Sequence, residues 1–324
     1  MHYIYIGHYV LISRIVICCP KSVRITGICD CIAISSRGGY RLMGLFFRSR
    51  LTGLAFAATA ILASAARADD RPFVMAYTTD IEAQGEKEIE QEITWSSGHA
   101  REAFQAIESR TEVEYGFTDN FQGSFYLTYD WSRTHPQGSL APAEQSSLPG
   151  ISSEFIYRFM NVYFDPIGLA LYAEPSIGNG TRSFEVKALL QKNFLNDTLR
   201  IALNINAEDR WEKNSLGHYD QSSALEFFSG IAYNVTPEWS LGVEFDNERG
   251  FDGLILGGSS VYTDNAYFAG PTISYVGHPF KVILGAQAQL PWASDPTHSA
   301  GALDNGYLSG AERFRLRLRI ASDF

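Results

Sequence analysis

The chain has 324 residues, of which 45% are hydrophobic, 19% charged and 13% aromatic, and its formal net charge is −10. The acidic balance excludes general nucleic-acid binding, which needs a basic surface, and the aromatic content excludes an intrinsically disordered chain. No charge-free apolar run reaches the roughly 18 residues of a spanning helix, so a helical membrane protein is excluded as well.

The first recognisable element is a leader. Within 43–68, Arg48 and Arg50 precede the alanine-rich apolar stretch 51–66, and Ala66-Arg67-Ala68 supplies a small-residue cleavage site. This is the pattern of a secretory signal peptide. Residues 1–42 lie upstream of it and read as a mis-annotated extension, with translation expected to begin at Met43. Segment 1–68 holds eight of the 26 Lys+Arg and one acid, Asp30, so the chain from Asp69 onward carries 18 bases against 35 acids, a net of −17. All four cysteines leave with the leader, so the exported protein meets an oxidising compartment without disulfides.

Segment 69–85 comes next. Its Pro72-Phe73-Val74-Met75-Ala76-Tyr77 is too apolar for a free tail and is expected to fold into the lumen of a barrel or lie at its periplasmic rim. From Glu86 the dominant period is two, the period of a strand. Strands are expected at 86–97, 104–117, 121–131, 150–164, 168–175, 181–195, 198–208, 219–235, 238–249, 262–276, 280–290 and 307–324. Tight turns at 118–120, 165–166, 196–197, 236–238 and 277–279 alternate with longer polar loops at 132–149, 176–181, 209–219, 250–261 and 291–306, with a short one near 98–101. A secreted sandwich would also alternate. Short and long connections that alternate, however, are the signature of an outer-membrane barrel with short periplasmic turns. Aromatics gather beside the tight turns (Tyr115, Phe117, Phe121, Tyr163, Phe164, Phe194, Tyr233, Trp239, Tyr275, Phe280), where amphipathic rings meet the lipid–water boundary. Trp95, Tyr129 and Trp131 fit the opposite girdle. The chain ends on Phe324, in phase with Leu316, Leu318 and Ile320, as an assembly signal for the barrel insertion machinery would be. The expected fold is all-β: a transmembrane antiparallel up-and-down barrel of twelve strands over 86–324.

Several short motifs carry a resemblance. Arg71-Pro72-Phe73, Tyr77-Thr78-Thr79-Asp80, Glu90-Gln91 with Thr94-Trp95, and Arg110-Thr111-Glu112 with Tyr115-Gly116 and Asp119 resemble a domain-of-unknown-function family of proteobacterial outer-membrane barrels. The broader pattern is similar to the barrels grouped as "phenol meta-pathway" outer-membrane proteins. The resemblance implies a barrel in the bacterial outer membrane, and it implies neither a substrate nor catalytic residues.

Turning the apolar phase towards lipid fixes the inward phase. It carries Glu86, Glu88, Glu90 and Glu92 on the first strand, Glu108, Arg110, Glu112 and Glu114 on the second, and Arg313, Arg315, Arg317 and Arg319 on the last. Closure pairs the first strand with the last. An arginine ladder is therefore expected beside two glutamate ladders, with Arg315 and Arg317 at mid-wall near Glu90, Glu92 and Glu112. Further inward candidates are Glu154, Arg158, Glu174, Glu185, Lys187, Arg200, Glu226, Glu244 and Asp246. Such a row is either a charged constriction that selects solutes or a set of charges that neutralise one another and fill a narrow interior; the excess of acids makes a passive pore lean towards cations.

Enzyme motifs are scarce. The five histidines after the leader show no zinc-ligand spacing, no phosphate-cradling loop appears, and no cofactor or metal is implied. Asp209, His218 and Asp220 fall in one expected outer loop, where a rim hydrolase would need acids and a histidine to meet. Three functions thus stand open: a porin-like channel for small solutes, a structural or surface-interaction barrel with a plugged lumen, and a rim hydrolase. Expected partners are outer-membrane lipids, the barrel assembly machinery and small solutes, with no nucleic acid. The oligomeric state is not legible.

Overall fold

A computed structural model describes residues 71–99, 102–136, 141–178, 180–299 and 301–324. The leader and the upstream extension lie outside the described residues. Twelve long strands close into one antiparallel barrel. They are β1 (Lys87–Ser97), β2 (Glu102–Thr118), β3 (Phe121–Pro136), β4 (Ala143–Met160), β5 (Gly168–Gly178), β6 (Thr181–Phe194), β7 (Leu199–Lys213), β8 (Tyr219–Asn234), β9 (Trp239–Leu254), β10 (Ser259–Val276), β11 (Phe280–Gln289) and, after the two-residue pair β12 (Leu303–Asp304) and β13 (Tyr307–Leu308), β14 (Phe314–Asp323). Each long strand pairs with its neighbours in sequence, and β1 closes the cylinder on β14, with Glu92 opposite Arg319 and Thr94 opposite Arg317.

The expected order and closure hold, but the strand ends differ. β3, β4, β7 and β9 run five to seven residues further into the expected outer loops. Backbone pairing does not need apolar side chains, so the hairpin stems rise past the apolar belt, whereas a reading from hydrophobic alternation stops at its edge. At the other end β4 stops at Met160. The next turn is wound by Asn161, whose N–H donates to Asp165 and whose Oδ1 accepts the Tyr163 N–H. β14 starts at Phe314 rather than 307, because the β12–β13 hairpin occupies the preceding stretch. In that loop Asp295 accepts the N–H groups of Thr297 and Ser299 at 2.9 and 2.7 Å. The Thr297 hydroxyl and these amides hold the Asp295 carboxyl below its ordinary range.

The outer wall is apolar. Ile93, Leu127, Ile151, Leu171, Leu203, Ile231, Leu241 and Leu284 all stand exposed on the outward phase. Rings cluster at the tight-turn end, with Phe117 5.5 Å from Phe121, Tyr157 4.9 Å from Phe159, and Trp239 4.9 Å from Tyr275. Phe245, Tyr267 and Trp292 form a second group towards the opposite end.

Segment 71–82 lies inside the barrel, with only Met75 and Tyr77 less than fully buried. Phe73 and Ala76 pack on Ala202 and Ala232 of the wall, and Ile81 packs with Ile156, Ala170, Tyr172 and Leu189. The only apolar clusters of buried residues among the described residues are therefore built by this segment against the lumen wall. Small wall residues make room for it: a Cβ at Gly230 would lie 2.5 Å from the Phe73 ring, and one at Gly285 would lie 2.3 Å from Val74.

Candidate functional site

The inward phase of β1, β2 and β14 brings acids beside arginines, while Glu86 and Arg313, expected in the same rows, lie just outside β1 and β14. The rungs follow from register: Glu88 stands opposite Glu114, Glu90 opposite Glu112 and Glu92 opposite Arg110, with Arg319 on the other side of Glu92. Like charges directly opposite one another are destabilising unless a counter-charge intervenes. Arg319 supplies one, donating through Nε to Glu90 at 2.9 Å and through Nη2 to its second oxygen, with Glu92 at 3.6 Å. Arg317 lies 3.5 Å from Glu92 and donates to Thr94 at 2.8 Å. Arg110 bridges Glu92 and Glu112 at 3.7 and 3.5 Å and covers the Tyr126 ring. Glu88 binds Lys281 of β11, while Glu114 and Glu112 accept from Gln122 and Ser124 of β3.

Arg315 departs from expectation. It reaches along the wall past β11, over the Phe268 ring of β10, to β9, donating to both oxygens of Glu248 at 2.5 and 2.8 Å, and also binds Glu312. The reason is register: its neighbours at that height are Ser96 on β1 and Gln287 on β11, so the glutamate row has run out. Arg313 turns to Asp304 at 3.0 Å and stacks on Tyr307, in the loop. Glu108 faces open space opposite Asp130.

The weak rim constellation does not come together. β7 extends through Asp209, so this acid lies in a strand. It stands opposite Phe184, which is outward, and Ser223, and it is buried, accepting the Leu256 N–H at 3.2 Å. Asp220 pairs with Glu212, which lines the lumen, and so belongs to the opposite phase of the sheet. His218 sits in the turn between them, its N–H donated to Asn214.

The lumen divides in two. Its long-loop half is an open vestibule of about 550 Å³ that adjoins a second space of about 420 Å³. The two share Glu108, Arg110, Tyr126, Asp130, Glu174, Glu208 and Arg210, and the larger rests on Val74, Met75 and Tyr77. Nine acids and six bases line the larger space. In the tight-turn half, the spaces beside Glu114 and beside Glu88 are each about 10 Å³, no larger than one water.

Segment 71–82 closes that half, and the residues that hold it are polar groups scattered over the wall. Glu244 accepts the consecutive N–H groups of Val74, Met75 and Ala76 at 3.1, 2.8 and 2.7 Å. Asn204 accepts the Tyr77 N–H at 2.6 Å and donates back to its carbonyl at 2.9 Å. Gln191 accepts the Thr79 N–H, and Gln122 the Glu82 N–H, each at 2.7 Å. Arg319 and Arg317 donate to the carbonyls of Phe73 and Val74. Sequence reading placed Glu244 inward and missed Asn204, Gln191 and Gln122. Their signal was an uncharged polar residue on the inward phase, but nothing local indicates a partner more than a hundred residues away in the first two cases.

The family model described as "Family of unknown function (DUF6662)" matches residues 65–324. No curated protein matches the chain. Among solved structures, the COG4313 outer membrane channel from Pseudomonas putida F1 superposes with a TM-score of 0.56 at 12% identity, covering 79% of this chain and 100% of that one. The NanC porin gives a TM-score of 0.47 at 9% identity over 73% of this chain and 100% of its own. The KdgM porin, solved with disordered oligogalacturonate, gives 0.43 at 12% identity over 73% and 99%. At these identities the likeness to the first is one of fold, that of an outer-membrane β-barrel.

Proposed function

This chain belongs to the DUF6662 family, a family of unknown function with the fold of an outer-membrane barrel here, and from that premise we propose that it is a gated channel for small solutes in the bacterial outer membrane. The observation that carries the reading is the nature of the obstruction. What closes the tight-turn half is segment 71–82, a stretch that runs ahead of β1 and is itself not a strand of the wall. Beyond it lies a vestibule wide enough for solutes, lined by charges of both signs with acids in excess. An interior built only for stability would fill that half as well.

The leader pattern, the apolar belt and the two ring clusters support export to the outer membrane, with the tight turns and both chain ends on the periplasmic side. In that orientation the vestibule opens outward and segment 71–82 closes the pore from within. The likeness to "phenol meta-pathway" barrels rests on the sequence motifs, and the solute is defined by the vestibule: small, polar and preferably cationic.

Planar-bilayer recording of the purified protein tests this. The intact chain should show low basal conductance with rare openings. Peeling the segment out, by inserting a protease site between the exposed Gln84 and Gly85 and cutting after folding, should give long-lived open states. A cut barrel freed of its segment that still passes no ions would instead favour a permanently plugged structural barrel.

A further inference from the structure

Side-chain bonds join Thr79 and Asp80 to Gln191 and Tyr77 to Glu154, but most of the contacts that seat the middle of segment 71–82 read the main chain. Three consecutive amides converge on one carboxylate, that of Glu244, which is fully buried. Asn204 presents its side-chain amide to the Tyr77 peptide unit in a donor-and-acceptor pair, so that it recognises an amide as another amide would. Gln191 takes the N–H of Thr79, two residues on. Arg319 and Arg317 take carbonyls. None of these main-chain bonds depends on which side chain the segment carries. The apolar side chains rest on small residues of the wall, Phe73 over Gly230 and Val74 over Gly285.

We infer that the middle of the lumen is a binding site for peptides, and that segment 71–82 occupies it as an internal stand-in for an incoming peptide. The inference rests on the gated-channel reading and names the solute class. The seat is wasteful for a mere stopper. A carboxylate taken out of water needs strong hydrogen bonds to be tolerated, and apolar packing alone would close a tube. It suits a ligand whose main chain offers N–H and C=O groups in regular succession, which sugars and simple ions lack. The vestibule ends on Val74, Met75 and Tyr77, the stretch whose amides Glu244 and Asn204 hold, so a peptide arriving from the long-loop side meets the seat there. Its volume of about 550 Å³ falls within the range of about 300–1,000 Å³ typical of small-ligand sites, which fits a short peptide rather than a folded protein.

The test uses the folded full-length chain cut between Gln84 and Gly85, with release of the detached segment measured by mass spectrometry. Four competitors are added: an alanine–serine peptide of the same length, the same peptide N-methylated at three consecutive amides, a linear oligosaccharide of equal mass, and a peptide of the segment's own sequence. The unmodified peptide should release the segment. The methylated one should need about tenfold more or worse, as loss of several hydrogen bonds predicts, and the oligosaccharide should release none. Release by the sugar as well as by the peptide, equal potency of the methylated peptide, or exchange only with a peptide of the segment's own sequence would each overturn the inference. Should the insertion impair folding, the uncut chain serves: the alanine–serine peptide should speed hydrogen exchange at the amides of Val74, Met75 and Ala76, and unchanged rates would overturn the inference. Conductance is not read in either format, so failure of the pore and failure of the peptide site remain distinguishable.

Discussion

Arg317 and Arg319 lie two positions apart on β14 and share Glu92, yet they sit in different solvents. Arg319 is 2% exposed and clasps Glu90 below the seated segment, whereas Arg317 is 20% exposed at the floor of the vestibule. Removing one partner of a buried pair strands the other charge and typically costs about 3–5 kcal/mol, while a partly wet pair is worth about 1 kcal/mol where, as for the buried Glu92, Arg110 and Arg319 remain as counter-charges. Arg319→Ala should therefore destabilise the folded barrel by about 3–5 kcal/mol, and Arg317→Ala by about 1 kcal/mol. Urea midpoints of the purified variants in detergent check this. Equal shifts would mean that water reaches both alike. Arg317→Ala also removes a donor to the Val74 carbonyl, so it should raise the frequency of channel opening where a purely neutralising ladder would leave it unchanged.

At the scale of the element, segment 71–82 and β14 make opposite demands on the wall. The segment needs hollows. Gly230→Leu would place side-chain atoms where the Phe73 ring lies, because even a Cβ there approaches to 2.5 Å. Losing the burial of one aromatic is worth about 1.5–3 kcal/mol, which corresponds to a rise in the open population of about tenfold or more. Bilayer recordings on Gly230→Leu, with an outward-facing control such as Ile231→Leu, should reveal it. Strand β14 has to seal against β1. The residue that follows it, Phe324, is largely exposed, donates its N–H to the Lys87 carbonyl at 3.1 Å and lies under the Lys87 ammonium. The ring adds little packing of its own, which suits a signal read before closure. Deleting Phe324 should lower the amount of protein assembled in the outer membrane while leaving export intact. Undiminished assembly would make the terminal ring incidental.

At the scale of the molecule, a closed ladder of backbone bonds has no edge for detergent to open. The unboiled protein should resist SDS and migrate apart from the boiled form; identical migration would contradict closure in solution. The vestibule's nine acids against six bases predict a cation-selective open state. Under a KCl gradient the reversal potential should carry the sign for K⁺ in the cut protein, and an anion-selective sign would show that Arg317 and Arg110, rather than the acid excess, set the field.

The sequence alone was enough for the barrel, its strand order, its count of twelve and the two kinds of connection. All of these follow from period-two alternation between a uniform lipid exterior and a polar interior, and alternation is a local property of each strand. It left two places open for segment 69–85 and found the apolar run that made burial necessary. It could not decide where Arg315 would turn, since Glu248 on β9 becomes its neighbour only when the cylinder closes to a particular diameter. Nor could it join Asn204 or Gln191 to Tyr77 and Thr79, and it brought Asp209 and Asp220 together although the extension of β7 sends them to opposite faces. The division of the lumen into an open vestibule and a filled half was likewise decided by tertiary structure. It depends on contacts across the bore between residues far apart in the chain, and no periodicity along a single strand encodes what stands on the other side of the tube.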